Sequence, residues 1–494
     1  MPFVITLLYG AAALFLAAFG FWELRMLVHF LRNREAIRGT PSRESDPSSP
    51  GPETVPPTVT IQIPLFNERT SAEQIILAAS AQDYPRDRFD VQVLDDSTDE
   101  TPRIVAKVVE EVRARGIRIE HLHRDNRRGY KAGALAEGLE RSTSELVAVF
   151  DADFVPEPGF LKRLVVEARA FDDPTVAFVQ ARWAWGSTIE GWLPSALALL
   201  LDRHFRVQKP TRAFSGNVTT FNGSGGIWRR KAIESAGGWT SDTLTEDLDL
   251  SYRCALDGWH GRYLADVMVQ NELPGHMRAF KLQQRRWSRG SAQCFRKLTG
   301  RVLSAKKVVR HRWDEAFMLA GYAIHPLLLA SLILWPWAVL YVDRTLFWVL
   351  QGLMSLGIVA AVLSFLITVH ERGESWSVGT LAKVIISLCV GMGLMVNNTV
   401  GQIQGFASSG GEFVRTPKSK RVATDSALAA MGSEQTYSSP LHWTFFAEIL
   451  VMAYCLAGAV FLVQQGQGLW SLAMIFWGAC LGLMVQQQMA QSLA

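Results

Sequence analysis

Three hydrophobic patterns follow one another along the chain. A continuous apolar run comes first, over about residues 3–30. A helix of about 20 apolar residues crosses a bilayer, so this run is long enough to span one. Residues 33–57 are rich in Ser, Pro, Glu and Arg, a composition that predicts a linker. The pattern then becomes short alternating segments separated by helical ones. Residues 58–64, 92–94 and 146–150 read as strands, and 71–81, 102–115 and 131–140 read as helices. Strands alternating with helices predict an α/β domain with a mainly parallel sheet. Ligands of such sheets collect at the C-terminal ends of the strands. Asp95, Asp96, Asp151 and Asp153 stand at those ends.

Long apolar runs return at 313–341, 347–369, 380–400, 444–464 and 467–487. Hydropathy alone counts five more crossings, but charge argues against one. Arg25, Arg32 and Arg34 close the first run and place the chain that follows in the cytoplasm. Residues 415–421, RTPKSKR, carry four positive charges and belong on the same side. A crossing at 380–400, which also holds Lys383, Asn397 and Asn398, would put them outside. That run is therefore expected to lie at the interface. Five spans result, or six if 380–400 crosses after all. Residues 275–312, dense in Arg, Lys, Gln, Trp and Phe, predict amphipathic helices on the cytoplasmic face, and a plain basic juxtamembrane segment fits them equally.

The expected organisation is a transmembrane helix (1–32), a linker (33–57), a catalytic domain (58–274) and interface helices (275–312). Two transmembrane helices (313–370), an interface helix (378–405), a cytoplasmic loop (406–440) and two further transmembrane helices (441–494) complete it.

Composition agrees with a membrane protein. The chain has 494 residues, 49% hydrophobic, with 16 Trp and 26 Phe. A net charge of +4 is too small to argue for a nucleic-acid partner. The first run lacks the basic start of a cleaved signal peptide. Cys254, Cys294, Cys389, Cys455 and Cys480 show no paired metal spacing, and three lie in apolar runs. They read as buried thiols.

Five segments carry candidate chemistry. Asp151-Ala152-Asp153 follows an apolar strand and offers hard oxygen ligands for Mg²⁺ or Mn²⁺ holding a diphosphate. A solvated turn is the plainer alternative. Thr245-Glu246-Asp247 precedes a helical run. It reads either as a helix cap with acids at the positive dipole end, or as the source of a general base. The glycine-rich loop 221–226, FNGSGG, lacks the Lys-Ser/Thr of a phosphate-binding loop. It is a place for close backbone approach to a ligand, or a simple turn. Lys131 opens a helix after Arg124, Arg127 and Arg128. It is suited to hold a diphosphate or else belongs to a solvated basic face. Gln283, Arg286 and Trp287, within QQRRW (283–287), add an amide, a guanidinium and a flat ring at the membrane side.

The order Asp95-Asp96-Ser97, Asp151-x-Asp153, Thr245-Glu246-Asp247, Gln283-x-x-Arg286-Trp287 resembles that of the processive, membrane-embedded family 2 glycosyltransferases, the cellulose, hyaluronan and mannan synthases. The strings QIPLFNE (62–68), QVLDDSTD (92–99), GYKAGAL (129–135), VQARW (179–183) and FNGSGG (221–226) resemble the cellulose synthase-like A group of mannan and glucomannan synthases. The resemblance implies a GT-A-type, Rossmann-like α/β domain on the cytoplasmic side of a helical transmembrane bundle. It implies inverting transfer of a hexose from GDP-mannose or UDP-glucose onto a growing β-linked polysaccharide threaded across the membrane. Asp95 or Asp96 would hold the nucleotide, Asp151 and Asp153 the metal and diphosphate, and Asp247 would be the base. Gln283, Arg286 and Trp287 would bind the acceptor end, leaving Gln284 and Arg285 to solvent or lipid headgroups. Phe413, Thr416 and Lys418 resemble the gating loop of cellulose synthase, with Arg415 departing from that motif. The membrane would be a bacterial inner membrane or a Golgi membrane. The chain's last apolar run ends near residue 487, so no cyclic-dinucleotide-binding domain is expected after it. A glycosyltransferase that makes a glycolipid and a non-catalytic export scaffold are the alternatives.

Overall fold

The computed structural model describes residues 1–38, 55–185, 191–306, 308–412 and 442–493. It opens with a 31-residue helix, α1 (Pro2–Arg32), and a short helix, α2 (Arg34–Arg38), where the linker was expected to begin. The described residues that follow then build one eight-stranded sheet. Strand β1 (Val59–Leu65) leads through helix α3 (Ala72–Ser80) to β2 (Phe89–Asp95), and through α4 (Thr101–Ala114) to β3 (Ile119–His123). Helix α5 (Tyr130–Arg141) returns the chain to β4 (Leu146–Val149), beside β1. These four strands are parallel, in order β3-β2-β1-β4. The residues of β1 are nearly all buried, the pattern of a parallel strand covered on both faces.

The other half of the sheet is mixed. It contains β5 (Phe154–Val155), β6 (Val176–Trp185), β7 (Gly226–Arg229) and β8 (His260–Asn271). β7 pairs antiparallel with β4, so Gly226, its first residue, lies opposite Val149, the last of β4. The loop before β7 therefore arrives at the C-terminal edge, beside the Asp151 turn. Between β6 and β7 the chain makes α6 (Trp192–Asp202), a π-helical turn (Arg203–Gln208) and α7 (Lys209–Phe214). Helices α8 (Arg230–Ser235) and α9 (Glu246–Leu256) precede β8.

After the sheet, one 28-residue helix, α10 (Met277–Ser304), occupies the region expected to hold several interface helices. Helix α11 (Arg312–Leu319) and a short 3-10 turn precede α12 (Ile324–Tyr341). Then come α13 (Arg344–Glu371), α14 (Val378–Gly393), α15 (Met395–Ala407), α16 (Thr444–Gln464) and α17 (Gly468–Leu493). Among the described residues, five helical segments are long and apolar enough to cross a membrane: Pro2–Arg32, Gly321–Tyr341, Arg344–Glu371, Thr444–Gln464 and Gly468–Gln491. The run expected to be an interface helix is a pair, α14 and α15, bent by 41°. Counted as one broken span, that pair gives six. Asn397 and Asn398, which argued against a crossing, are buried: they bond the Lys281 carbonyl at 2.9 Å and His325 at 3.0 Å.

Small residues set the helix contacts. A Cβ on Gly20 of α1 would lie 2.4 Å from the Gly357 backbone nitrogen of α13. On Gly405 of α15 it would lie 2.4 Å from the Arg289 carbonyl of α10. Neither position has room for a side chain, so α1 is held directly against α13 and α10 directly against α15. Glu23, near the end of α1, accepts two hydrogen bonds from Gln208 of the π-helical turn, both 3.1 Å. It also accepts one from Ser364 of α13 at 3.2 Å.

Candidate active site

Four elements converge on the C-terminal edge of the sheet. The turn after β4 carries Asp151 and Asp153, the start of α5 carries Lys131, the loop before β7 carries Asn222–Gly225, and the first turn of α9 carries Glu246 and Asp247. Lys131 ties them together. Its Nζ lies 2.5 Å from Asp151 Oδ1 and 3.5 Å from Glu246 Oε1, and it donates to the Gly223 carbonyl at 2.9 Å. Burial pulls the Lys131 pKa down, but Asp151 and Glu246 outweigh it and hold it above its ordinary value. Lys131 is thus a buried cation among carboxylates, not part of a solvated basic face. The backbone at its helix start is special: Gly129 and Tyr130 both have positive φ, 73° and 52°.

The loop 221–226 comes close to both Asp247 and Lys131. Gly223 has φ +79°, and a Cβ there would lie 3.4 Å from Asp247 Oδ2 and 3.5 Å from Lys131 Nζ. Ser224 Oγ accepts the Asp151 backbone N–H at 2.9 Å, which fixes the acidic turn to the loop.

Asp247 is strongly changed by its surroundings. Burial, then the neighbouring charge of Glu246, raises its pKa from 3.8 to about 7, against the pull of Lys131. Asp151 is also raised, first by burial. Thr245 takes the cap position of α9, yet its side chain makes no capping bond. It packs instead on Gly290 of α10, where a Cβ would come within 2.5 Å of Thr245 Cγ2. The capping reading is corrected for that reason: the hydroxyl is turned toward Cys294, 3.4 Å away.

That contact brings α10 alongside the acids. Gln293 of α10 accepts the Leu244 N–H at 2.8 Å. Gln283, Arg286 and Trp287, at helical spacing, are half-buried on α10. Burial lowers the Arg286 pKa, while Glu246, Asp151, Asp247 and Asp153 act on its charge in the opposite direction. Two neighbours depart from expectation. Gln284 is buried and accepts from Tyr322 at 3.1 Å, and Arg285 is half-buried against His442. They do not face solvent because α10 is surrounded by other helices. Lys281 of the same helix is buried in an ion pair with Glu448 of α16 at 2.5 Å.

The paired acids after β2 divide. Asp96 is locked to Arg124. Asp95, fully buried, accepts from His121 Nε2 at 2.9 Å and from the Ser97 N–H at 2.9 Å. Its pKa is lowered: burial opposes this, but the hydrogen bonds from His121 and Ser97 outweigh it. Asp95, His121 and His123 hold ligand atoms within 4.8 Å of one another, the one such His-containing group among the described residues. No sequence motif pointed to Arg124 in this pairing, to His121 or to His123. Phe413, Thr416 and Lys418 lie outside the described residues. The chain leading to them is tied to the site, since Gly410 N–H donates to Asp242 at 2.6 Å and its carbonyl accepts from Arg289 and Gln293.

Comparison with known proteins fits this geometry. Residues 56–290 match the family model described as glycosyltransferase like family 2. The chain is 44% identical over 270 residues to glucomannan 4-beta-mannosyltransferase 2 of Arabidopsis thaliana, covering 54% of this chain and 50% of that one. It is 38% identical over 295 residues to glucomannan 4-beta-mannosyltransferase 1 of Oryza sativa subsp. japonica, covering 59% and 56%. The chain thus spans about half the length of the curated relatives it matches. Among solved structures, the mannosyltransferase PcManGT from Pyrobaculum calidifontis, in complex with GDP-Man and Mn²⁺, aligns with a TM-score of 0.55 at 20% identity. That alignment covers 80% of this chain and 99% of the other, a likeness of fold.

Proposed function

We propose that this chain, whose residues 56–290 form a family 2 glycosyltransferase domain, transfers mannose from GDP-mannose to the end of a β-linked polysaccharide. The observation that carries this reading is the packing of the helix that bears Asp247 against the helix that bears Arg286. The latter helix is pinned to the membrane bundle through Lys281 and Glu448. A base at the acceptor end and a membrane path for the product are thereby joined in one rigid unit.

Asp247 takes the proton from the acceptor hydroxyl, whose oxygen attacks the anomeric carbon as the bond to the diphosphate breaks. A base must lie within hydrogen-bond reach of that proton, and its pKa is best near the working pH, as Asp247's is. Lys131 and Arg286 stabilise the departing diphosphate, whose charge grows as the bond breaks. Gln283 and Trp287 hold the acceptor sugar, the amide by hydrogen bonds and the ring by stacking.

The residues present fit a divalent cation. Asp151, Asp153, Glu246 and Asp247 lie around two protein cations, Lys131 and Arg286, so carboxylates outnumber cations at a partly buried site. Asp151 and Asp153 would hold Mg²⁺ or Mn²⁺, which would supply charge neutralisation at the diphosphate. The nucleotide end lies toward Asp95, with Asp96 reserved for Arg124. The sheet domain faces the cytoplasm, the first membrane helix enters from the outside, and the broken pair α14–α15 together with α10 borders the path of the product.

A donor panel tests the proposal. Membranes containing the protein are supplied with GDP-mannose, UDP-glucose and other nucleotide sugars, and diphosphate release is followed with the size of the product. GDP-mannose turnover into long polymer is expected. Release from none of the donors overturns the reading, and a product of one or two sugars on lipid replaces it with glycolipid synthesis.

A further inference from the structure

A second buried cation stands behind the site. Lys209, the first residue of α7, is 3% exposed. Its Nζ donates to the Thr220 carbonyl at 2.6 Å and to Asn222 Oδ1. The other side of the Asn222 amide lies 3.3 Å from His204 Nε2, and its backbone N–H donates to Gln180 at 2.9 Å. The next residue is Gly223, which faces Asp247 and bonds Lys131. Lys209 therefore grips from behind the same short loop that lines the reacting groups in front.

This is a costly place for an ammonium. Among the described residues its hydrogen-bond acceptors are a carbonyl and an amide, with no carboxylate. Burying a charge without a paired counter-ion is unfavourable. Other groups facing it are the Phe205 and Tyr263 rings, 5.9 and 5.5 Å from Nζ, and the charges of Arg212 on α7 and Asp247 on α9. His204, on the π-helical turn, is kept neutral, its pKa pushed down to about 3 by burial and then by Lys209 itself. Burial brings the Lys209 pKa down to about 7, partly offset by Asp247 and reinforced by Arg212. A polar amide alone would have satisfied the loop at lower cost, and a lysine adds a charge that can come and go.

We propose that Lys209 is a positioning residue for sugar transfer: protonated, it holds Asn222 and Gly223 against Asp247 by charge-assisted hydrogen bonds, and deprotonated, as a weaker neutral donor, it loosens that hold. The inference rests on Asp247 being the base. It makes the enzyme lose activity at alkaline pH through a group that touches neither donor nor acceptor.

The test uses the full-length protein in lipid nanodiscs with GDP-mannose, measuring kcat and KM from pH 5.5 to 10. For the unaltered protein, kcat falls as pH rises beyond the Lys209 pKa of about 7. Lys209→Gln lowers kcat roughly tenfold at neutral pH, equivalent to a small change in barrier height, leaves the donor KM nearly unchanged and abolishes the alkaline fall. Lys209→Arg, charged at every pH used, restores most of the kcat and moves the fall upward by more than about one pH unit. If both variants keep the original alkaline fall, the proposal is overturned. If Lys209→Gln does not fold, the position of the fall in Lys209→Arg decides alone. Asp247→Asn is run in parallel. Activity surviving in that variant overturns the base assignment, whereas its loss beside unchanged Lys209 profiles overturns only the role of Lys209.

Discussion

Arg124 meets the Asp96 carboxylate side-on, Nε and Nη2 each 2.6 Å from a different oxygen. Both side chains are almost wholly buried, at 7% and 5% exposure. Arg124 Nη2 also donates to the Tyr130 carbonyl at 3.1 Å. The pair thereby braces the positive-φ turn that presents Lys131. Breaking a buried pair from one side leaves the other charge stranded, at a cost of about 3–5 kcal/mol. Asp96→Asn and Arg124→Met should each lower the unfolding midpoint in detergent. Asp95→Asn should weaken donor binding with a smaller loss of stability.

Replacing Asp247 with Asn should cut turnover by about 10²–10⁴-fold, the usual contribution of a positioned base. Donor affinity, measured by calorimetry, should change little. Glu246→Gln is a milder change, because it removes the charge that helps raise Asp247.

The pH dependence follows from the raised carboxyl. Asp247 acts as a base only when deprotonated, and its folded pKa is about 7. Activity should therefore be lost on acidification below about 7, the acid limb of a profile whose alkaline limb, beyond about 7, belongs to Lys209. Glu246→Gln should move this acid limb to lower pH, since Glu246 is the second cause of the shift after burial. A pH–rate profile of donor turnover checks both statements.

Chelation should stop the reaction. With Asp151, Asp153, Glu246 and Asp247 gathered around Lys131 and Arg286, removing a bound cation with EDTA should reduce diphosphate release by more than about 10²-fold. Mg²⁺ or Mn²⁺ should restore it, and Asp153→Asn should raise the metal concentration needed for half-maximal rate.

The Lys281–Glu448 pair gives a second contrast in stability. Glu448→Gln strands a buried ammonium and should cost about 3–5 kcal/mol. The double change Lys281→Met with Glu448→Leu should recover most of that loss, read as the unfolding midpoint in detergent.

Much of this arrangement was legible in the residues themselves. The strands expected at 92–94 and 146–150 run into Asp95 and Asp151, and parallel pairing on either side of β1 put those ends together. The acids and Lys131 could be gathered because each adjoins a predicted strand end or helix start. Lys209, His121 and Arg124 were not legible. They act through partners far off in sequence, and a lone Lys or His in a helical or strand-like stretch gives no periodic signal. The bend between α14 and α15 was hidden too. Its Asn397 and Asn398 look like interface residues until α10 supplies the Lys281 carbonyl and α12 supplies His325. Gln284 and Arg285 were misplaced for the same reason: helical spacing shows which residues share a face, not what will cover it.

The hydrogen bonds between Glu23 and Gln208 carry a practical warning. A recombinant fragment trimmed to the sheet, begun near residue 56 to escape detergent, would preserve every catalytic carboxylate and still be an altered enzyme. The turn before Lys209 would have lost its footing on the first membrane helix. Rates from such a fragment would describe a catalytic domain with its rear support cut away, and a weak rate there would not count against the intact protein.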